Sequence, residues 1–195
     1  MSVIVVLLLD GLGDRSYPEL GGRTASEAAD IPHLDALACR GASGLLHPLG
    51  RGRAPSSDVA HWAILGGHPD EFPGRAVFEA LGRGQRVDPA DVLGYAALRS
   101  AEHRDGALWV TGRATPDDAD DAKELLESVA HREVGNLAIN LTDVTRGEAI
   151  LRISGGANDA VTDSDHFFPD LHPVLRPTAL TRAAAATADA VTRWT

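Results

Sequence analysis

The apolar run VIVVLLL at residues 3–9, closed by Asp10 and Gly11, limits what this chain can fold into more than any other stretch. A run with no polar alternation is what a strand buried on both faces looks like, and such strands belong to parallel sheets covered by helices. Open sheets of that kind build their sites at the C-terminal ends of the strands, which is where Asp10 would stand. The run is too short to cross a bilayer, has no basic residue before it and passes straight into Asp10. It is therefore read neither as a membrane span nor as a signal peptide.

The second informative stretch is PSSDVAHWAILGG, residues 55–67. Ser57 and Asp58 open a helical pattern that places Val59, Trp62, Ala63 and Leu65 on related faces, and Gly66 stops it. A hydroxyl at a helix start meets free backbone N–H groups and the positive end of the helix dipole, a setting that suits an attacking oxygen destined to carry a phosphate. Each half has a plainer reading: Asp10-Gly11 as a strand-ending turn, and Ser57 or Asp58 as an N-cap. The order of strand, Asp-Gly, capped helix and then an S-D-x-A-H helix start favours a site over either, and a carboxylate joined to a helix-start serine points to metal-assisted phosphoryl transfer.

Between these stretches, residues 24–40 carry the clearest helical signal. Thr24 and Glu27 form a capping box, Pro32 restarts the helix after Ile31, and Ile31, Leu34, Leu37 and Ala38 make an apolar stripe before Gly41. A short second strand is expected at residues 44–47. The Gly-, Arg- and Pro-rich loop at 49–55 holds Arg51 and Arg53, which either meet a phosphate or simply solvate the loop. Gly74-Arg75 marks an exit into a second region, with strands expected at 92–98, 107–110, 137–141 and 148–153. A helix at about 118–130 turns Leu125, Leu126 and Val129 inward, and an Ala-rich helix runs from Thr178 to about Trp194.

Composition narrows the function. Apolar residues make up 44% of the 195 and charged residues 24%, enough for a core. A net charge of −10 with no basic cluster argues against nucleic acid or an anionic membrane as partner, and 5% aromatic residues are too few for a base-stacking surface. The single cysteine, Cys39, excludes an internal disulfide and is expected to pack as a small apolar group within a helix. These features suggest a cytoplasmic protein.

At DGLGDR, then ELGGRTASEAADIPHLDALACRGASGLLHPLGRGRAPSSDVAHWAILGG, then GRAVFEALGRG and the weaker VTDSDH, the chain resembles the archaeal-type 2,3-bisphosphoglycerate-independent phosphoglycerate mutases of the alkaline phosphatase superfamily. The likeness is nearly continuous over residues 5–84 and patchy from there to about His166. It implies an α/β fold: a parallel-sheet core, incomplete in this chain, supplied by residues 1–73 and 167–195, with an α+β cap inserted at 74–166. It also implies a serine that carries phosphate between the two positions of a glycerate beside two divalent metals, commonly manganese. On the matching positions Ser57 would be both nucleophile and metal ligand and Asp10 a metal ligand, with Asp58 and His61 as supports. The cap of such enzymes contributes arginines that bind carboxylate and phosphate, so Arg75, Arg113 and Arg152 are the substrate-binding candidates, each equally readable as a solvated surface residue.

Departures accompany the likeness. Residues 92–98 read VLGYAAL where an Arg and an Asn are expected, the Arg-rich segment near 111–114 is reduced to Arg113, and the expected G-S-D reads Ser56-Ser57-Asp58. Two metals need about six or seven protein ligands, and Asp10 and Ser57 supply two. The expectation is therefore a small phosphorylated substrate and a chain that works with a C-terminal-half polypeptide or as a homo-oligomer. The alternatives are a phosphomonoesterase or phosphonate-pathway relative, and a non-catalytic remnant or partner-binding subunit.

Overall fold

Asp-Gly and Gly-Asn corners, rather than βαβ crossovers, join strands of this chain. The computed structural model describes residues 3–145, 147–165 and 172–195. By internal contacts the chain divides into two units, Met1–His47 and Pro48–Thr195.

In the first unit the expected buried strand at residues 3–9 is not formed. The segment takes no regular secondary structure, pairs with no other strand among the described residues, and leaves its side chains from 44% to 88% exposed. A strand is stabilised by the neighbours that take its N–H and C=O groups, and an apolar parallel strand also needs helices over both faces; among the described residues none of these is supplied. The strand expected at 44–47 is likewise unpaired and exposed. Local signals fare better. Gly11, at φ +79°, lets the Leu12 amide reach the Leu9 carbonyl at 3.3 Å, which makes Asp10-Gly11 a tight turn. The capping box is present: the Glu27 amide donates to Thr24 Oγ1 at 3.2 Å, and the Thr24 amide to Glu27 Oε2 at 2.7 Å. It starts helix α1, Ala25–Ala28, and Pro32 opens α2, Pro32–Arg40. The stripe of α2 is not buried, with Leu37 60% exposed, and Cys39 lies in the helix but exposed, contrary to its expected packing. Periodicity selects the helix, but burial of its face requires a surface to pack on.

In the second unit helix α3, Ser57–Ile64, leads through a loop to α4, Arg75–Gly82. Strands β1, Val92–Ala97; β2, Arg99–Arg104; and β3, Ala107–Arg113, follow. Then come helix α5, Ala119–Ser128, and strands β4, His131–Val134; β5, Leu137–Thr145; and β6, Glu148–Ser154. Strand β7, His172–Pro173, and helix α6, Ala185–Trp194, end the chain. One sheet has the order β1-β6-β5-β4 and the other β2-β3-β7, and every pairing is antiparallel. The architecture is thus mixed α/β with antiparallel sheets, and a parallel-sheet core is not seen among the described residues.

Strands β2 and β4 escape the sequence reading because RSAEHR and HREV show no apolar alternation. Glycine-containing corners follow both. Asp105 and Gly106 take φ of 51° and 79° between β2 and β3, the left-handed pair of a type I′ hairpin, and Gly135 takes φ 63° before Asn136 between β4 and β5.

The four-stranded sheet carries the core. Leu137, Ile139, Leu151 and Ile153 face α6 and bury Ala190 against them. The other face of β6 presents Ile150, which packs with Ala80 of α4 and with Leu93 and Val87. Alternation along a strand puts Glu148 and Arg152 on that same α4 side, together with Tyr95, the cross-strand partner of Ile150. Helix α5 buries Ala122 and Leu126, but Leu125 and Val129 are exposed rather than inward. The Ala-rich helix expected from residue 178 begins at Ala185, after a 3₁₀ turn at Arg182–Ala184.

Candidate active site

Helix α3 starts where the sequence places it. Ser56 is the N-cap, with extended backbone, and Ser57 is the first helical residue. The Ser57 hydroxyl is exposed and makes no hydrogen bond among the described residues, which leaves it available to attack. Asp58 is engaged instead: it accepts from Ser56 Oγ at 2.5 Å and from the Val59 amide at 2.8 Å. These contacts fix the corner beside Ser57. At the other end Gly66, at φ +98°, lets its amide reach the Ala63 carbonyl at 3.1 Å while the Gly67 amide reaches that of Trp62 at 2.9 Å. This pair of bonds is a Schellman stop, so the Gly-Gly after the helix is read correctly as its terminus.

A cleft of about 710 Å³ lies between α3 and α4, lined among others by Asp58, His61, Trp62, Arg75, Phe78 and Arg83. Its apolar floor is an aromatic cluster in which the Trp62 ring lies 5.5 Å from that of Phe78 and 6.4 Å from that of Phe72. The Trp62 indole N–H donates to the His68 carbonyl at 2.7 Å. The α4 wall is ionic: Glu79 stands 3.6 Å from Arg75 Nε and 3.8 Å from Arg83 Nε, one helical turn away on either side. His61, four residues after Ser57, brings an imidazole from the serine's helix into this cleft.

Of the three arginines chosen from sequence, Arg75 alone lines the cleft. Arg152 sits on β6 and is engaged within the sheet layer, donating to Asp91 Oδ2 at 3.0 Å and to the Arg86 carbonyl at 2.6 Å. Arg113 ends β3 in the other sheet, exposed, with Arg99 as its cross-strand partner. Of the VTDSDH segment, Asp165 is described and accepts from Arg99 Nε at 2.6 Å, with His172 Nε2 3.3 Å from its other oxygen; His166 lies outside the described residues. Sequence reasoning did not select Arg83, Glu79 or Trp62. Arg75, Glu79 and Arg83 recur at steps of four along α4, a spacing that would have flagged a charged face beside the cleft.

Asp10 belongs to the first unit and Ser57 to the second, and each is placed by its own local structure. Among the described residues no three His, Cys, Asp or Glu side chains come together. A divalent ion prefers about six oxygen or nitrogen donors, so the described residues do not by themselves make up a metal site. No described helix is long and apolar enough to cross a membrane.

The profile of the 2,3-bisphosphoglycerate-independent phosphoglycerate mutase family matches residues 38–195. The chain belongs to that family. Among its relatives, a 2,3-bisphosphoglycerate-independent phosphoglycerate mutase of Methanopyrus kandleri is 39% identical over 98% of this chain and 46% of its own length. One of Ignicoccus hospitalis is 36% identical over 83% of this chain and 40% of its own. The solved cofactor-independent phosphoglycerate mutase from Thermoplasma acidophilum superposes with a TM-score of 0.51 at 30% identity, covering 96% of this chain and 49% of that one. The chain therefore spans less than half the length of the mutases it matches.

Proposed function

We propose that this chain supplies the nucleophile and the cap of a phosphoglycerate mutase-type phosphoryl transfer, interconverting 3-phosphoglycerate and 2-phosphoglycerate through phosphoserine at Ser57. The observation that carries the reading is the exposed Ser57 hydroxyl at the start of α3, on the helix that brings Asp58 and His61 to a cleft shared with Arg75. In the first step Ser57 Oγ forms a bond to phosphorus as the bond from phosphorus to the substrate oxygen breaks. The serine proton leaves and the departing alkoxide is protonated. The second step reverses this with the neighbouring hydroxyl of the same glycerate, so no net proton or phosphate is consumed. The Ser57 and Asp58 N–H groups, which begin α3, would face the phosphate dianion while it resides on Ser57, and Arg75 would supply a positive charge.

Since the chain covers 46% of the Methanopyrus relative, the activity is proposed for this chain together with the remaining family segment, supplied either as a C-terminal half or by a partner polypeptide. Asp10 and Ser57 would each contribute one donor to the divalent metals, manganese by resemblance, and that segment would contribute the others. The chain complemented in this way and incubated with 3-phosphoglycerate and manganese is expected to carry phosphate on Ser57 by peptide mass spectrometry. Ser57→Ala is expected to lose at least several decades of mutase rate. The uncomplemented chain is expected to show no turnover and at most weak manganese binding by calorimetry. Phosphate on another residue, or an active Ser57→Ala protein, would overturn the mechanism.

A further inference from the structure

Arg75 does not reach the cleft as a freely rotating side chain. Its guanidinium carbon lies 4.0 Å from the centre of the Tyr95 ring, and its Nη2 donates to the Tyr95 hydroxyl at 2.9 Å. The Tyr95 hydroxyl in turn donates to Glu148 Oε2. A phenol has one proton to give, and giving it to Glu148 turns its lone pairs toward Arg75. The direction of the chain is therefore determined: arginine to tyrosine to carboxylate. Glu79 stands on the Nε side of the same guanidinium. Nη1 makes no hydrogen bond among the described residues, and the Arg75 side chain is 38% exposed. The result is an arginine stacked on one face, held on two edges and open on the third.

The parts of this arrangement come from three elements. Arg75 is the first residue of α4, Tyr95 lies in the middle of β1, and Glu148 opens β6 beside it, on the sheet face that packs against α4. Burial, with the hydrogen bond to Glu148 second, pushes the Tyr95 phenol well above the usual tyrosine range, so it stays a donor at any physiological pH. An arginine side chain loses rotamer entropy when it binds an anion. Stacking and hydrogen bonding that restrict it beforehand reduce that cost and aim the free edge.

We propose that Tyr95 and Glu148 are positioning residues for Arg75, holding its guanidinium at the wall of the α3–α4 cleft with the Nη1 edge open to the anionic group of a phosphorylated ligand. This rests on the reading of Arg75 as a substrate-binding residue. Neither Tyr95 nor Glu148 touches the ligand. Each acts through Arg75.

The test uses the 195-residue chain and inorganic phosphate as the probe, with side-chain NMR of arginine Nε–H groups and backbone amide spectra to confirm the fold. In the parent chain the Arg75 Nε–H signal is expected to be sharp, slow to exchange and shifted by phosphate. Tyr95→Phe keeps the ring but removes both hydrogen bonds. It is expected to broaden that signal and to weaken Arg75-reported phosphate binding by about 3- to 10-fold. Glu148→Ala is expected to do the same and Glu148→Gln, which retains an acceptor, to restore most of the effect; this pair decides the matter if Tyr95→Phe does not fold. An Arg75 signal and phosphate affinity unchanged in Tyr95→Phe and Glu148→Ala overturn the positioning role while leaving the anion-binding reading in place. Phosphate that never shifts the Arg75 signal in the parent chain overturns the anion-binding reading and this proposal with it.

Discussion

Gly67→Ala tests whether the aromatic floor of the cleft is as closely built as the geometry says. A Cβ placed on Gly67 would lie 2.1 Å from Trp62 Cε2 and 2.4 Å from both Cδ2 and Nε1, well inside contact distance. These are atoms of a rigid indole, so the whole ring must retreat by roughly 1 Å or more to restore ordinary contact. That movement breaks the 2.7 Å hydrogen bond from Nε1 to the His68 carbonyl, a loss of about 1 kcal/mol. It also disturbs the packing on Phe78 and Phe72, where each aromatic pair contributes about 0.5–1.5 kcal/mol. Because the cluster is only half-buried, the lower end of each range applies, and the total comes to about 2 kcal/mol. For a chain of this size that corresponds to a melting temperature lowered by about 4–8 °C. Thermal and denaturant unfolding followed by tryptophan fluorescence reads the change, and near-UV circular dichroism reads the displaced ring. A double-mutant cycle separates the cause: with Trp62→Ala already present, Gly67→Ala is expected to cost almost nothing further. A loss below about 0.5 kcal/mol with an unchanged near-UV spectrum would refute the reasoning.

Ile150→Ala, at a 1% exposed position between β6 and α4, is expected to destabilise the second unit by about 2–5 kcal/mol in equilibrium denaturation; a cost under 1 kcal/mol would mean that α4 does not dock on that sheet face. The upward shift of Tyr95 also sets a pH dependence. The folded state favours the neutral phenol, so its contribution is fully present below about pH 10, the value for an unfolded tyrosine, and is lost as pH rises through the higher folded value. Stability measured across pH 9–12 is therefore expected to fall more steeply in the parent chain than in Tyr95→Phe, and phenolate absorbance is expected to show one tyrosine that ionises late and disappears in that variant.

What the sequence determined by itself is local. The capping box of Thr24 and Glu27, the proline that opens α2, the helix beginning at Ser57 and the glycines that close it are each decided by backbone hydrogen bonds within a few residues, and all of them stand in the structure. Four strands of the second unit were legible because their apolar residues alternate or run together, and the start of α3 was legible because Ser57 and Asp58 stand just before its apolar pattern. The sequence also carried the family, through motifs spaced along residues 5–84. Burial and partnership were decided only in three dimensions. The most apolar segment of the chain, residues 3–9, is exposed here because a strand's stability resides in neighbours that its own residues cannot specify. Polar β2 became a strand because the Asp105-Gly106 corner folds it back on β3. Three arginines looked equivalent as letters, yet the sheet faces gave Arg152 to Asp91, placed Arg113 at the end of another sheet, and set Arg75 over Tyr95 at the cleft. An arginine's role follows from the carboxylates, rings and open space within about 4 Å of its guanidinium, and the neighbours that separate Arg75 from Arg152, Tyr95 and Asp91, lie 20 and 61 positions away, brought together only by the packed fold.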